Sequence, residues 1–355
     1  MKIHYLVAFL TLFTIQNTFG QDSVEAFLSK GIEAHDKGEY QNAVQFYKEA
    51  LQIDKSAAIL FYELSLSYYH LKDYKNAIKF ANKSLKNTED KDIRLSTYLI
   101  KGAAVDDMNG SNTKKTIKVY QKGINAFPED YLLQYNLGFR YYKSRDYKNA
   151  EKTLAKAIEL NPFHTSSHFL LGQNCLQQNL RIQSIMAFSQ FLFLENLEYP
   201  LSITKRSKSG FTILKEQALG NIIRVSETSI NINLTVNEED EFNVLNTIVS
   251  LMTAQNKVEA DSLNLSENQQ IEQFYNTLTK MISENEFDKD SFWGKHYASF
   301  LKQLKTNEIT TPYAYVILLS NKDDMVIDWI NINTDEIGKV EDLLLKHTEE
   351  IKNED

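Results

Sequence analysis

The sequence predicts an all-α chain, an array of stacked helix pairs followed by a second, mainly helical region. Three observations point there. Small and large residues recur at a 34-residue interval; only 4 Pro and 12 Gly interrupt 355 residues; and large rings are frequent, with 19 Tyr and 20 Phe. A helix pair repeated at such a period leaves an apolar face that only stacking can cover. Few breakers favour helices joined by short turns, and large rings fill the gaps between helical layers. Hydrophobic residues at 43% and charged residues at 24% describe a globular chain rather than a disordered one. The length suits about two domains at roughly 100–200 residues each.

Residues 1–20 read as a cleavable signal peptide. Lys2 supplies the positive start, Leu6 to Ile15 the short apolar run, and Gly20 the small residue before Gln21-Asp22. The run is shorter than the ~20 apolar residues that span a bilayer, and no later segment is long and apolar enough to cross one. No Cys follows it, which argues against a lipoprotein anchor. Removing Lys2 would take the formal charge from −8 to about −9. An acidic chain is a poor partner for nucleic acid, whose binding rests on Lys and Arg contacts to phosphate. The lone Cys175 forbids an internal disulfide; a chain this long can bury its own core without one.

The repeats are expected at 24–57, 58–91, 95–130, 131–164 and 165–198. Gly138 and Gly172 lie 34 apart, each after a Leu; Gly31 and Ser65 hold the same site at the same interval. Tyr40 matches Tyr74, Ala43 matches Ala77, and Leu51 matches Leu85. The fourth repeat reads Leu137-Gly-Phe-Arg-Tyr141, Asp146-Tyr-Lys-Asn-Ala150, Leu154, Ala157-Ile158 and Pro162. Where the two helices of a pair cross, their backbones come close, so Gly31, Ser65, Gly102, Gly138 and Gly172 must be small. Ala43, Ala77, Ala150 and Ala157 serve the same approach from the second helix. Pro128 and Pro162 end second helices, since proline lacks the amide a helix needs. The third repeat has a turn lengthened by two residues around Asn109-Gly-Ser-Asn-Thr113, and the fifth is loose, with Ser184 in place of alanine.

In residue types and spacing, the stretch from about Val24 to Asn196 resembles the tetratricopeptide repeat family. That resemblance implies a right-handed superhelix whose concave face is lined by the first helix of each pair. The helical period puts Leu28, Ile32, Tyr62, Leu66, Tyr69, Tyr135, Phe139, Tyr142 and Phe169 on that face, with His35, His70, Asp106, Asp107, Lys143 and Gln173 as its polar groups. From these we take Tyr62, Tyr69, Tyr135, Phe139, Tyr142, Phe169 and Lys143 as the candidate partner-binding groove. Aromatics gathered in one groove suit an apolar or extended polypeptide segment. Two occupants stay open: a partner, or the chain's own C-terminal region. Members that grip acidic chaperone tails use a Lys/Asn/Arg clamp; Leu28 and Ile32 stand at the first-repeat clamp sites, so that partner is not supported.

Beyond Pro200 the register stops, and residues 199–355 read as a separate helical domain. The run Lys205-Arg-Ser-Lys208 reads as a solvated linker. Ile213, Leu214, Ala218, Leu219, Ile222 and Ile223 mark a helix over 210–224. Ile230, Ile232, Leu234 and Val236 alternate with polar residues, as in a short strand. Asn237 is expected to cap a helix to about 256, with Glu238–Glu241 as its acidic first turn. Ser266 with Gln269 makes a capping box for a helix to about 284. Asp290 starts the next, with a stripe of Trp293, Tyr297, Phe300, Leu301 and Leu304. Thr311-Pro312 and Asn333 with Glu336 open two more. The residues Phe292-Trp-Gly-Lys-His-Tyr297, Phe300-Leu301, Tyr313-Ala-Tyr315 and Trp329 make roughly 200–345 similar to the C-terminal part of exported tetratricopeptide proteins of Bacteroidetes-type bacteria. This implies an outer-compartment bacterial protein and brings no assigned reaction.

The sequence carries no catalytic constellation. His164 and His168 are four apart, yet a metal would need further ligands; His164 is better placed in a turn and His168 in the next helix. Cys175 falls between helices. His-Glu-x-x-His, Gly-x-Ser-x-Gly and a Gly-rich phosphate loop are missing, and no cofactor is expected. His296, among aromatics, reads as a satisfied core histidine. The expected function is non-enzymatic binding or scaffolding of a protein or peptide in the periplasm or outside the cell. One alternative is that the repeats recruit substrate for an enzymatic or ligand-binding domain at 199–355. Another is self-assembly through the open ends of the solenoid.

Overall fold

A computed structural model describes residues 23–110, 113–199, 204–219 and 264–354, with short stretches between 225 and 249. The expected signal peptide, most of the expected strand at 230–236 and most of the helix at 237–256 lie outside the described residues. The chain forms two compact units that part after Gly110. The first unit and the beginning of the second are built of antiparallel helix pairs.

The first unit contains α1 (Val24–Asp36), α2 (Tyr40–Ile53), α3 (Ala58–His70), α4 (Tyr74–Lys86) and α5 (Lys91–Asn109). Each connection is short, and three of the five starts have a side-chain cap. Ser23, Asp73 and Asp90 accept backbone amides at the starts of α1, α4 and α5, which satisfies donors the helix itself cannot. Asp90 also explains why the third repeat begins at Lys91 rather than at 95. The small sites do what their size requires. A Cβ on Gly31 would run into the Tyr47 ring. Ser65 is fully buried, and its hydroxyl donates to the Ala77 carbonyl across the pair at 2.9 Å.

The second unit begins with α6 (Thr113–Ala126), α7 (Tyr131–Lys143), α8 (Tyr147–Leu160), α9 (Thr165–Gln177) and α10 (Arg181–Glu198). A Cβ on Gly138 would lie 2.8 Å from Leu154 Cγ, and one on Gly172 would lie 2.9 Å from Phe188 Cδ2. Ser184, read from sequence as a loose match, is buried and donates to the Gly172 carbonyl at 3.1 Å. The fifth repeat thus keeps the Ser65–Ala77 device with the two helices exchanged. The pentapeptide Asp-Tyr-Lys-Asn-Ala stands at both 73–77 and 146–150. In each copy the Asp carboxylate accepts the Asn backbone amide and its side-chain amide. The residue before it, Lys72 or Arg145, is left-handed at φ near 60°, which turns the chain back into the second helix.

The packing does not break where the repeat register ends. α10 is buried on every side from Arg181 to Asn196, and one apolar core runs from Leu154 through Phe193 and Tyr313 to Leu344. Around it lie α11 (Lys205–Leu219), α12 (Glu267–Glu284), a π-helical turn (Gly294–Ala298), α13 (Ser299–Thr306), α14 (Thr310–Leu318), α15 (Asp324–Ile332) and α16 (Thr334–Glu354). The last repeat is therefore covered, not open. Several polar groups on α10 are matched by partners outside the repeats. The Ser189 hydroxyl lies 2.6 Å from the Tyr275 hydroxyl, and the Asn196 amide donates to the Val316 carbonyl at 2.7 Å.

Several expected starts shift. The Ser266–Gln269 capping box is present. The helix at 210–224 instead begins at Lys205 and is described to Leu219. Asp288, not Asp290, organises the turn before Trp293, through its carboxylate to Asp290 N and its carbonyl to Ser291 N. Pro312 sits in the first turn of α14, two residues after Thr310, where its missing amide costs no bond. The Asn333 side chain donates back to the Trp329 carbonyl at 2.7 Å, which closes α15, while its carbonyl accepts the Ile337 amide at the start of α16. Val225–Ser226 pair antiparallel with Ser229–Ile230; the residues after Ile230 in the expected strand are outside the described ones.

Candidate functional site

The helix-A face of the first unit carries Tyr62 and Tyr69, both half-buried. Burial first, and the neighbouring Asp107 carboxylate, push the Tyr69 phenol up to about 12. Burial also raises Tyr62. Beside them Glu63 accepts the Tyr47 hydroxyl at 3.3 Å. Its carboxyl is pushed up to about 7, by burial first and by the Asp36 charge, against the Tyr47 hydrogen bond. At the end of this face the His70 ring stacks on Tyr40 at 4.7 Å, and His35 meets both rings edge-on at 5.1 and 5.0 Å. Sequence projection named the two tyrosines and the histidines but not Glu63, which lies one residue off the groove spacing.

The second unit places the other five candidates on α7 and α9. They do not share one environment. Phe139 is 37% exposed, and Lys143 Nζ stands 5.9 Å from its ring centre. Tyr142 is half-buried, with its ring 6.0 Å from Tyr147. Tyr135 is half-buried against the His164 ring at 5.0 Å. Phe169 meets Phe191 and Phe188 edge-on at 4.9 and 5.7 Å, and the start of α11 lies over it. Arg206 sits 6.0 Å from its ring centre and 5.2 Å from that of Phe191.

The run at 205–208 is thus no solvated linker. It is the first turn of α11, and Arg206 is fastened at three points. It donates to Ser166 Oγ at 2.6 Å, to Thr165 Oγ1 at 3.1 Å and to the buried Glu195 carboxylate at 2.8 Å. The physical reason is Glu195, only 3% exposed. A carboxylate out of water needs a cation and donors, and Arg206 with the Thr204 hydroxyl supplies them. Gly210 allows the close approach, since a Cβ there would lie 2.8 Å from the Phe191 ring. α11 therefore covers part of the groove at Phe169, which is half-buried like Tyr142, while Phe139 and Lys143 stay exposed.

The histidines are engaged in structure. His168 is buried, with Nε2 2.8 Å from the Pro162 carbonyl and Nδ1 2.6 Å from the Tyr297 hydroxyl. A carbonyl only accepts, so Nε2 carries the proton and Nδ1 accepts from Tyr297. Burial holds its pKa down, to about 4. His164 begins the turn into α9, with Nδ1 2.8 Å from Ser167 Oγ and its ring between Tyr131 and Tyr135. Burial and the Arg206 charge hold it near 4 as well. His296 is half-buried beside Phe292 rather than in the core. Among the described residues no three His, Cys, Asp or Glu side chains are grouped to hold a metal ion, and no helix is long and apolar enough to cross a membrane. Cys175 is buried and in no disulfide.

Comparison with known proteins identifies the repeats. Tetratricopeptide repeat profiles match residues 28–92 and 131–164. Among solved structures, the chain is similar to a MamA RS-1 double mutant at 21% identity, over 51% of this chain and 98% of that one, with a TM-score of 0.44. It is similar to MamA from Desulfovibrio magneticus RS-1 at 20% identity, over 51% and 97%, with a TM-score of 0.42. YrrB, described as a TPR protein with an unusual peptide-binding site, is 18% identical over 49% and 87%, with a TM-score of 0.39. The chain carries tetratricopeptide repeats, which point to protein–protein interaction or scaffolding.

Proposed function

We propose that the protein is a non-enzymatic binding or scaffolding protein of the cell envelope. In this reading it captures an apolar or extended polypeptide segment on the helix-A face at Phe139, Tyr142 and Lys143. The envelope placement rests on the leader-like composition of residues 1–20 and on the resemblance of the C-terminal region. The capture reading rests on one observation, an exposed Phe139 beside a half-buried Tyr142 with a lysine ammonium over the ring edge. Its neighbour Phe169 is half-buried under the start of α11. A large ring left open where the adjacent one is covered is apolar area for a partner to bury. Lys143 adds a cation that favours a carboxylate or a carbonyl-rich backbone in that partner. Tyr62 and Tyr69, both half-buried, form a separate aromatic surface in the first unit.

The test compares the tagged wild-type chain with Phe139→Asp in capture from a native envelope extract. Retention of the captured protein should fall at least about tenfold, the effect of losing one aromatic anchor. The melting temperature should stay within about 2 °C, because an exposed surface site contributes little to the core. A large fall in stability would place Phe139 in internal packing. Unchanged capture would remove the groove from the mechanism.

A further inference from the structure

The second helices carry a charge pattern that the groove reading does not use. On α4, Lys75, Lys79, Lys83 and Lys86 are all exposed along one face, and the helix contains no acidic residue. None of the four reaches a carboxylate within salt-bridge distance among the described residues. Lys79 and Lys83 instead lie over the Phe80 and Phe61 rings, between 5.3 and 5.6 Å from their centres. A cationic stripe left without counter-charges repels itself, and an anionic partner relieves that repulsion. Half-buried Ile78 and the lysine stems give the stripe an apolar floor.

The same chain carries the complementary surface. α15 exposes Met325 at 67% and Ile332 at 81%, seven residues apart and so on one face. Asp324 and Asp328 flank them, and Asp335 follows at the start of α16; all three are exposed. Residues 264–354 hold 17 acidic against 9 basic side chains. Asp324 and Asp328 are four apart on a helix, as are Lys75, Lys79 and Lys83, so the two rows repeat at the same pitch of about 6 Å. Large aliphatic side chains this exposed, set among acids, mark a contact surface.

We propose that two copies of this chain associate, the α4 lysine stripe of one against the acidic, apolar α15 face of the other. The contact joins two different surfaces, so it is heterologous. It closes into a symmetric dimer or ring, or continues as a chain, according to its angle. Lysine suits it: a flexible point charge pairs with aspartates without the fixed fork of arginine. The inference is independent of the groove on α7 and α9.

The test is light scattering of the purified chain at about 20 mM and about 0.5 M salt, where the screening length shrinks severalfold. A mass above monomer is expected at low salt and the monomer at high salt. The triple change Lys75→Glu, Lys79→Glu and Lys86→Glu should weaken association at least about tenfold, as should Asp324→Lys with Asp328→Lys. Mixing the two variants should restore it, because the swapped charges again match. The exposed aspartates can be changed without touching the core, so the second variant decides the matter even if the first folds poorly. A monomeric wild type at low salt overturns the proposal, as does association that neither variant weakens. Salt-sensitive binding of a monomeric chain to anionic vesicles would assign the stripe to lipid instead.

Discussion

Replacing Gly294 with alanine is expected to destabilise the second unit by about 3 kcal/mol or more, a loss of about 6 °C or more in melting temperature for a unit of this size. The added Cβ would overlap the Asp288 carbonyl, and backbone cannot rotate away as a side chain can. The site also sets a wider turn. Gly294 to Ala298 are π-helical, with the Ser299 amide bonded to the Gly294 carbonyl. That turn places Trp293 and Tyr297 together, their rings 5.0 Å apart. Trp293 Nε1 donates to Glu151 at 2.9 Å, and Tyr297 closes the bond to His168. The substitution should therefore also change the tryptophan near-ultraviolet signal. Gly338→Ala is the control. Nothing lies within 4 Å of its added Cβ, and alanine inside a helix should raise stability by roughly 0.5–1 kcal/mol. Equal effects at the two sites would show that the Asp288 contact is not tight.

Arg206→Ala is expected to cost about 2–4 kcal/mol, because it strands a buried carboxylate. Arg206 is itself 36% exposed and Glu195 keeps the Thr204 hydroxyl, which places the loss toward the lower end. The loss should be partly recovered when Glu195→Gln is added, since a neutral amide needs no cation. Urea unfolding of the two single variants and the double variant gives the coupling directly. Additive losses would mean that the ion pair does not hold α11 in place. Losing Arg206 should also uncover the Phe169 and Phe191 rings and lengthen the open groove.

The repeat architecture was legible because close approach leaves a mark on residue size. Gly31, Ser65, Gly102, Gly138 and Gly172 are all buried within helices, and the partners they admit, such as Tyr47, Leu154 and Phe188, are large. The C-terminal helices were partly legible from apolar stripes and from Ser266 with Gln269. What sequence reading missed depends on contacts far apart in the chain. Arg206 sits in a run that looks solvated, and only its pairing with Glu195 and its place over two rings make it structural. Glu195 gives no local sign of burial. α10 does carry one: Ile182, Ile185, Met186, Phe188, Phe191 and Leu194 fall around its whole circumference, the mark of a helix enclosed on all sides. That signal could have told that the fifth repeat is covered. For the groove, helical spacing chose the face, but it could not say which rings the chain would cover itself.

The account turns on a difference between two rings of the groove, Phe169 half-buried under α11 and Phe139 exposed. A photo-crosslinking residue placed at Phe139, and separately at Phe169, measures that difference in a native envelope extract. The account predicts an intermolecular product at 139, competed away by excess unlabelled chain, and an internal crosslink to α11 at 169. An internal product at 139, or the same external product from both positions, would contradict it.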